Sequence, residues 1–290
     1  PLLTACREHD GVELLADTAV HSYEQNADGV TVRTADGPTF RGAGLIGADG
    51  IRSTVRAAML ADGEPRVSGH TIYRSVIPIE RVPEELRWNT VTLWAGPRWH
   101  FEHYIIGGGQ YLNLAATRGR GAPGPVAGRE AARAHVLAQF PGIGATARRL
   151  LELGEGWREW VLCDRDPARS WTDGRVVLVG DAAHPMLQYA AQGACQALED
   201  AVVLGDLLDN TGADDVVQRL EKFDAVRRDR AGRAQLIARR MGSELYHPAG
   251  AAAEARNAML SALTQTEMYD KVSWLHGDRE FTDSGAGGTR

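Results

Sequence analysis

Cysteine is scarce in this chain and unpaired. Cys6, Cys163 and Cys195 are the only three, lie far apart and form no C-x-x-C pair, so neither a zinc site nor a disulfide framework is indicated and a reducing, cytoplasmic setting fits. Long apolar runs are missing too. None approaches the roughly 18 to 20 residues needed to cross a bilayer. There is no basic excess: a net charge of -6 and a pI near 5.9 leave no electrostatic footprint for nucleic acid. The opening residues, PLLTACREHDG, have no basic n-region, no long apolar h-region and no initiator Met, so they do not read as a signal peptide. They read as the start of a chain that begins mid-protein or has been processed.

What is present is enough for a real core. With 290 residues, 43% of them hydrophobic and 24% charged, the chain can form one large globular domain or two ordinary ones. Residues 12 to 48 alternate short β-type runs with turn signals at Asp28-Gly29 and Asp36-Gly37. Between about 67 and 118 the segments TIYRSVIPI, TVTLWAG, WHFEHYII and QYLNLAAT predict an antiparallel sheet. Gly107 to Gly109 reads as a hairpin turn rather than a phosphate loop, because no helical pattern follows. A Gly/Pro-rich loop (119 to 128) leads into helical spacing as far as about 152.

Strand and helix then alternate. RVVLVGD is a strand, and Ala194, Ala197, Leu198, Ala201, Val202 and Leu208 mark one face of a helix. A longer charged helix is expected over 213 to 241, with Val217, Leu220, Phe223 and Leu236 inward and a solvated basic surface from Arg227 to Arg240. DSGAGGTR at the end reads as a disordered tail.

Two short motifs stand out. GLIGADGIRSTVR (44 to 56) ends an apolar run at Asp49-Gly50, with a helix beginning near Ser53, and Val176 to Val179 run into Gly180-Asp181. Each sets an Asp beside a Gly at the carboxyl end of a continuously apolar strand, the texture of a buried parallel sheet. Ligands of open α/β sheets bind just outside such ends. Taken singly, an Asp there is usually a turn former or a helix cap. The pair, with Arg52, Ser53 and Arg56 beside one member, points to a large polar cofactor with hydroxyls and phosphates.

GADGIRSTVR resembles the DG motif, and GDAAHPMLQYAAQGACQALEDA the GD motif, of the FAD-dependent aromatic hydroxylases with the p-hydroxybenzoate hydroxylase type of fold. The two stand in the family's order, about 130 residues apart. The second is most similar to the branch of 3-hydroxybenzoate 6-hydroxylase, salicylate hydroxylase and 6-hydroxynicotinate 3-monooxygenase. The implied fold is α/β: a discontinuous, Rossmann-like FAD-binding domain (1–66 and 166–240), an inserted antiparallel β-sheet substrate domain (67–165) and a C-terminal helical segment and tail (241–290). The resemblance assigns FAD contacts to Asp49, Gly50, Arg52, Ser53 and Arg56, to Gly180, Asp181 and Pro185, and to the backbone of Gly193 and Ala194, where a helix N-terminus supports the anionic reduced flavin. Asp181 takes the ribitol chain. The family's strand and G-x-G-x-x-G turn for the ADP part are not in this sequence, so an N-terminally truncated piece that binds FAD poorly by itself is expected.

In WHFEHYII, alternation puts His100 and Tyr104 on one strand face and His103 on the other, where it reads as structural. The H-x-x-x-Y spacing resembles that of hydroxybenzoate and hydroxynicotinate hydroxylases, in which the pair faces substrate. At roughly 13 Å apart along the strand, the two would flank a small ring. A half-buried sheet histidine is the alternative for His100; as a base, its ordinary pKa of about 6.5 suits a phenolic proton near neutrality. Gln188 and Tyr189 either pack the loop or sit at the flavin–substrate junction, Gln188 positioning a hydroxyl or carboxylate. His100, Tyr104 and Gln188 are the catalytic candidates, and no metal is required. The resemblance implies that NAD(P)H reduces FAD, that O2 gives a flavin C4a-hydroperoxide, and that a small phenolic acid is hydroxylated, with a homodimer allowed. A flavin epoxidase or an antibiotic-tailoring hydroxylase shares both motifs, and a non-catalytic remnant is the reading from another class.

Overall fold

The computed structural model describes every residue except Asp36, Arg120 and residues 278–290; the tail DSGAGGTR lies outside the described residues. A short helix, α1 (Leu2–Glu8), precedes an antiparallel sheet of β1 (Val20–Asn26), β2 (Gly29–Thr34) and β3 (Thr39–Gly42). β4 (Leu45–Gly47) and α2 (Thr54–Leu60) follow. Six strands, β5 (Arg66–Pro78), β6 (Thr92–Gly96), β7 (Trp99–Ile106), β8 (Tyr111–Gly119), β9 (Ala127–Glu130) and β10 (Arg158–Asp164), make a second antiparallel sheet in the order β6-β7-β8-β5-β10-β9. Helices α3 (Arg133–Ala138) and α4 (Ala145–Leu153) interrupt it between β9 and β10. β11 (Thr172–Asp173) and β12 (Val176–Leu178) lead into α5 (Gly193–Leu208) and α6 (Val216–Arg240), then a π-helical turn at Met241–Tyr246, α7 (Ala251–Ala262) and α8 (Gln265–His276).

The large sheet has two chemically different faces because its side chains alternate. Tyr73, Ile77, Phe101, Leu112 and Leu114 point one way and bury against Val136, Phe140, Leu150 and Leu151 of α3 and α4. His103 is on this face, fully buried against Trp88, Trp94 and Phe101, so its expected structural placement holds. The opposite face carries Ile72, Arg74, Thr117, His100, Glu102 and Tyr104 and turns toward the segment after β12. Gly107 to Gly109 close the β7–β8 hairpin with φ of +62°, +66° and +95°, left-handed values that glycine adopts without Cβ strain.

A second core surrounds the small sheet β11-β12-β4, in which β12 and β4 run parallel with Val176 opposite Leu45 and Leu178 opposite Gly47. A Cβ on Gly47 would lie 2.9 Å from Val55 and 3.0 Å from Leu178, which is why glycine ends this strand where α2 crosses it. Val176, Val177 and Leu178 pack on Trp171, Val203, Leu204, Leu220 and Phe223.

The helical faces differ from the sequence expectation. On α5 the apolar stripe Ala194, Leu198, Ala201 and Val202 is exposed, Leu198 and Val202 at 56%, while Gln196, Asp200, Val203 and Leu204 are buried. On α6, Leu220 and Phe223 are inward as expected, but Leu236 is 47% exposed, and Arg227, assigned to a solvated surface, is completely buried. Both helices are rotated by polar partners that no local periodicity reveals. Segment 127 to 130, read as loop leading to helix, pairs with β10 as a sheet edge.

Arg175 ties the first sheet to the second core. Its buried guanidinium donates to the carbonyls of Ala27, Ala43 and Ala213, and its backbone N–H to Gln25 Oε1 at 2.8 Å. Arg175→Ala strands three carbonyl acceptors and is expected to destabilise the fold by about 3 kcal/mol, measured by urea unfolding; a loss below about 0.5 kcal/mol would show that water replaces the clamp.

Candidate active site

The two Asp-Gly motifs lie side by side because β4 and β12 are hydrogen-bonded parallel neighbours, extended by Val179 N–H to Gly47 O at 3.0 Å. Their carboxylates are used differently. Asp49 Oδ2 accepts the N–H groups of Thr54 (2.8 Å) and Val55 (3.2 Å), and Ser53 Oγ accepts that of Arg56 (2.8 Å), so both cap the N-terminus of α2. Gly50 has φ +79° with open space where a Cβ would be. Asp181 is exposed, and its Oδ1 lies 4.0 Å from the Cβ position of Gly193, at the first turn of α5. Arg52 is also exposed, in a loose 3.6 Å pair with Glu64.

Arg56 is not available to a phosphate. Its guanidinium is buried and donates to Asp62 and to the carbonyls of Ala182 (2.9 Å) and Ala183 (2.7 Å). It braces one motif against the other, a correction to its expected place at the cofactor. Two saturated carbonyls and a carboxylate leave this fork committed to the protein.

Behind the Gly180-Asp181 turn stands Asp200, on the buried side of α5. Its Oδ2 accepts the Gly180 N–H (2.9 Å) and His184 Nε2 (2.7 Å), and its Oδ1 accepts Arg227 Nε (2.9 Å). Burial by itself would raise this carboxyl, but His184, the Gly180 N–H and Arg227 together hold it below the usual carboxylate range. Gly180, at φ +55°, completes the turn, and Gln235 Nε2 donates to the Pro185 carbonyl at 3.0 Å. Nothing local in the sequence marks Asp200, His184 or Arg227 as one unit.

A cavity of about 510 Å³ opens between the motifs and the large sheet, lined among others by Arg52, Asp181, Pro185, Ile72, Arg74 and Trp160. At its edge Gln188 is held from two sides: Arg74 donates to its Oε1 (2.9 Å), and its Nε2 donates to Thr117 Oγ1 (3.2 Å). Arg74 and Thr117 were not singled out from sequence, although the alternation of TIYRSVIPI and QYLNLAAT already put them on this face. Glu102 was missed likewise: it stands between His100 and Tyr104 on β7, in one row across the sheet with Ala115 and Arg74.

His100 and Tyr104 do share a face, but not an environment. Tyr104 is half-buried, whereas His100 is fully buried among Tyr189, Tyr246 and His247. Its Nδ1 lies 2.8 Å from His247 Nε2, and its Nε2 has no hydrogen-bond partner among the described residues. Burial first, then the neighbouring His247 and His70, pushes His100 down to about 3, so its ordinary value near neutrality does not apply. Tyr189 hydrogen-bonds His70 Nδ1 at 2.5 Å and is buried, which raises its phenol. Burial also raises Glu102, opposed by Arg74.

Exposed carboxylate and guanidinium groups at parallel strand ends, a helix N-terminus facing them and a cavity walled by a second sheet define a cofactor-dependent α/β enzyme. Comparison with known proteins narrows the class. The FAD binding domain profile matches residues 148–238. The chain is 44% identical to 3-hydroxybenzoate 6-hydroxylase 1 of Aquipseudomonas alcaligenes, over 95% of this chain and 70% of that protein, and 40% identical to the Klebsiella oxytoca 3-hydroxybenzoate 6-hydroxylase, over 95% and 69%. A salicylate hydroxylase substrate complex superposes with a TM-score of 0.75 at 30% identity, covering 92% of this chain and 71% of that one. Klebsiella pneumoniae HpxO complexed with FAD and uric acid superposes with a TM-score of 0.77 at 27% identity, over 88% and 64%. The chain belongs to the FAD-dependent aromatic hydroxylases, in the branch that contains the 3-hydroxybenzoate 6-hydroxylases.

Two outcomes follow from the buried groups. Asp200→Asn removes one of the two carboxylates that face the buried Arg227, Glu199 being the other, and weakens the charge-assisted bonds to Gly180 and His184; it is expected to cost about 2 to 3 kcal/mol in chemical denaturation, and a loss under about 0.5 kcal/mol would make the turn independent of it. His100 and His247, held at about 3 and about 4, stay neutral in the fold but protonate near 6.5 once unfolded. The unfolded chain therefore binds more protons between those values, and stability falls as pH drops from 6.5 toward 4, by up to about 1.4 kcal/mol per pH unit per histidine. A melting temperature flat across that range would contradict their burial.

Proposed function

We propose that this chain hydroxylates a small phenolic acid in the manner of a 3-hydroxybenzoate 6-hydroxylase, using NAD(P)H and O2. The observation that carries this reading is the 44% identity to 3-hydroxybenzoate 6-hydroxylase 1 across 95% of the chain. The residues present fit a flavin. Asp181, exposed beside the start of α5, suits the ribitol hydroxyls; Arg52, with the Asp49, Gly50 and Ser53 turn, suits the diphosphate. The Gly193 and Ala194 N–H groups at the helix N-terminus suit an anionic ring, with Gly180 and Pro185 shaping the turn that faces it. When bound, FAD supplies the redox and oxygen chemistry.

The protein's own contribution is to orient and deprotonate the substrate. Arg74, a cation on the cavity wall, is the group to receive the carboxylate, and Gln188, fixed by Arg74 and Thr117, aligns the ring. The unpartnered His100 Nε2 accepts the phenolic proton and so raises the ring's electron density. Tyr104 closes the far end of the same face, and Tyr189 backs His100. Salicylate is the second reading, favoured by the substrate-complex structure that superposes at 30% identity.

The test is NAD(P)H consumption by the FAD-loaded full-length enzyme with 3-hydroxybenzoate, salicylate or 6-hydroxynicotinate, with product identification. Conversion of 3-hydroxybenzoate to 2,5-dihydroxybenzoate is expected; turnover of salicylate alone selects the second reading, and turnover of none refutes both. Arg74→Ala is expected to raise KM roughly 10- to 100-fold, the loss of one charge-assisted hydrogen-bonded contact. His100→Ala is expected to lower kcat by about 100-fold or more, and unchanged hydroxylation from pH 6 to 8 would remove His100 from the mechanism.

A further inference from the structure

Two buried guanidiniums reach the Asp-Gly turns from behind, and they share one counter-ion. Arg56, in α2, donates Nη1 to the carbonyls of Ala182 (2.9 Å) and Ala183 (2.7 Å), the two residues after Asp181. Arg165, just past β10, donates Nε to the carbonyl of Ile51 (3.0 Å), the residue before Arg52, and Nη1 to that of Gly63 (2.6 Å). Asp62 stands between them. Its Oδ2 accepts Nε (2.8 Å) and Nη2 (2.6 Å) of Arg56, and its Oδ1 accepts Nη1 of Arg165 (3.1 Å). Among the described residues neither arginine has another ion-pair partner. Asp164, next in sequence to Arg165, belongs to Arg66 and Arg239. The backbone brings Asp62 to this point: α2 stops at Leu60, and Ala61 (φ +47°) and Gly63 (φ +77°) are both left-handed, so the chain folds back on the helix it has just left. Arg165 is anchored from the other side, its carbonyl accepting Gln235 Nε2 (3.2 Å) and Arg239 Nη2 (2.7 Å) from α6.

We propose that Asp62 is a positioning residue for the flavin: one carboxylate that, through Arg56 and Arg165, fixes Asp181 and Arg52 relative to each other. The proposal rests on the reading of Asp181 and Arg52 as the groups that take the ribitol and the diphosphate. Asp62 itself does not reach the ligand. It lines a neighbouring cleft of about 340 Å³, with Glu64, Arg165 and Asp166, and is not on the wall of the cavity that Asp181 and Arg52 share. Its influence is carried entirely by the two guanidiniums and the carbonyls they hold.

The charge balance makes this carboxylate decisive. Arg56 is 0% exposed and Arg165 6%, so two like charges are buried close enough to share a single anion. Burial pushes Arg165 below the usual arginine range, Asp62 opposes that most strongly, and Arg56 adds repulsion. An arginine does not escape by losing its proton. Without Asp62 the two guanidiniums repel each other with no anion between them, and relief comes by moving one of them toward water. The carbonyls it leaves are then unpaired, and the turn that carries them relaxes. Arg56 holds the chain next to Asp181 and Arg165 the chain next to Arg52, so the two ligand groups lose their common reference. A carboxylate for hydroxyls and a cation for a diphosphate serve one cofactor only while their separation is fixed. The Asp62 side chain is itself 33% exposed, which leaves room on its water side for a carboxylate one methylene longer.

The test uses the full-length enzyme stripped of flavin, with the FAD dissociation constant measured by flavin fluorescence and by calorimetry. Asp62→Ala is expected to weaken FAD roughly 10- to 100-fold, and Asp62→Asn, which keeps the shape and one acceptor oxygen but not the charge, by at least about tenfold. Asp62→Glu restores the charge and is expected to bind FAD within a few-fold of wild type. With FAD saturating, the KM for the aromatic substrate is expected to change little in all three. A double-mutant cycle separates positioning from general weakening of the fold: Asp62→Asn combined with Asp181→Ala or with Arg52→Ala is expected to lose less affinity than the product of the separate losses, by about threefold or more. Arg165→Lys, which keeps a charge beside Asp62 but lacks the fork that reaches Ile51, is expected to weaken FAD likewise and keeps the test decisive should the Asp62 variants not fold. Wild-type FAD affinity in Asp62→Asn and Arg165→Lys, or losses that multiply in full in both combinations, would overturn the positioning role while leaving the flavin contacts intact. Wild-type affinity in both Asp181→Ala and Arg52→Ala would overturn the reading on which it rests.

Discussion

A single buried carboxylate holds the Gly180-Asp181 turn in place. Asp200 receives the Gly180 N–H, His184 and Arg227, three donors from two segments, the turn after β12 and α6, and is itself fully buried. The position of Asp181 at the cavity mouth follows from it, since the residue beside Gly180 can point outward only while Gly180 is pinned inward. Arg56 completes the frame from the other motif through the carbonyls of Ala182 and Ala183. The turn is thus fixed by its backbone, which leaves its one exposed carboxylate for a ligand.

The large sheet divides labour between its faces. One is a packed apolar wall that makes the sheet rigid; the other presents Arg74, Thr117, Glu102, His100 and Tyr104 to the cavity side. Because register fixes which side chains share a row, Arg74 and Glu102 oppose each other across Ala115, and a cation and a protonation-prone carboxyl meet where an aromatic acid is proposed to bind. The C-terminal π-helical turn then brings His247 onto the same end, giving His100 a hydrogen-bond partner 147 positions away in sequence.

The central strands of the large sheet, β5 to β8, the parallel pairing of the two Asp-Gly strands and the glycine hairpin were legible because each depends on local pattern: β-type alternation, a continuous apolar run, three glycines between two strands; the run from 12 to 19 and the edge strand β9 were not. The helix faces were not. Apolar spacing on α5 pointed to Leu198 and Val202 as inward, yet the helix is turned to satisfy Asp200, and on α6 Arg227 is inward for the same reason. A buried ion pair with several hydrogen bonds outweighs a stripe of small apolar groups, and its partners lie on separate segments. Arg56 was misplaced on the same account: an arginine beside a phosphate motif looks free until the carbonyls it saturates are known.

By itself, the sequence determined the chemistry available: two Asp-Gly strand ends, a face bearing His100 and Tyr104, and the motif resemblance that identifies a flavin-dependent hydroxylase. Only the tertiary structure decided which of those groups are free to act. Asp181 and Arg52 remain open to a ligand, Arg56 is a brace, and His100 is fully buried, its charged form disfavoured, with a second histidine hydrogen-bonded to it. The reason is physical: burial and hydrogen-bond partners set the proton affinity and availability of a side chain, and both are properties of its neighbours in space, not of its neighbours along the chain.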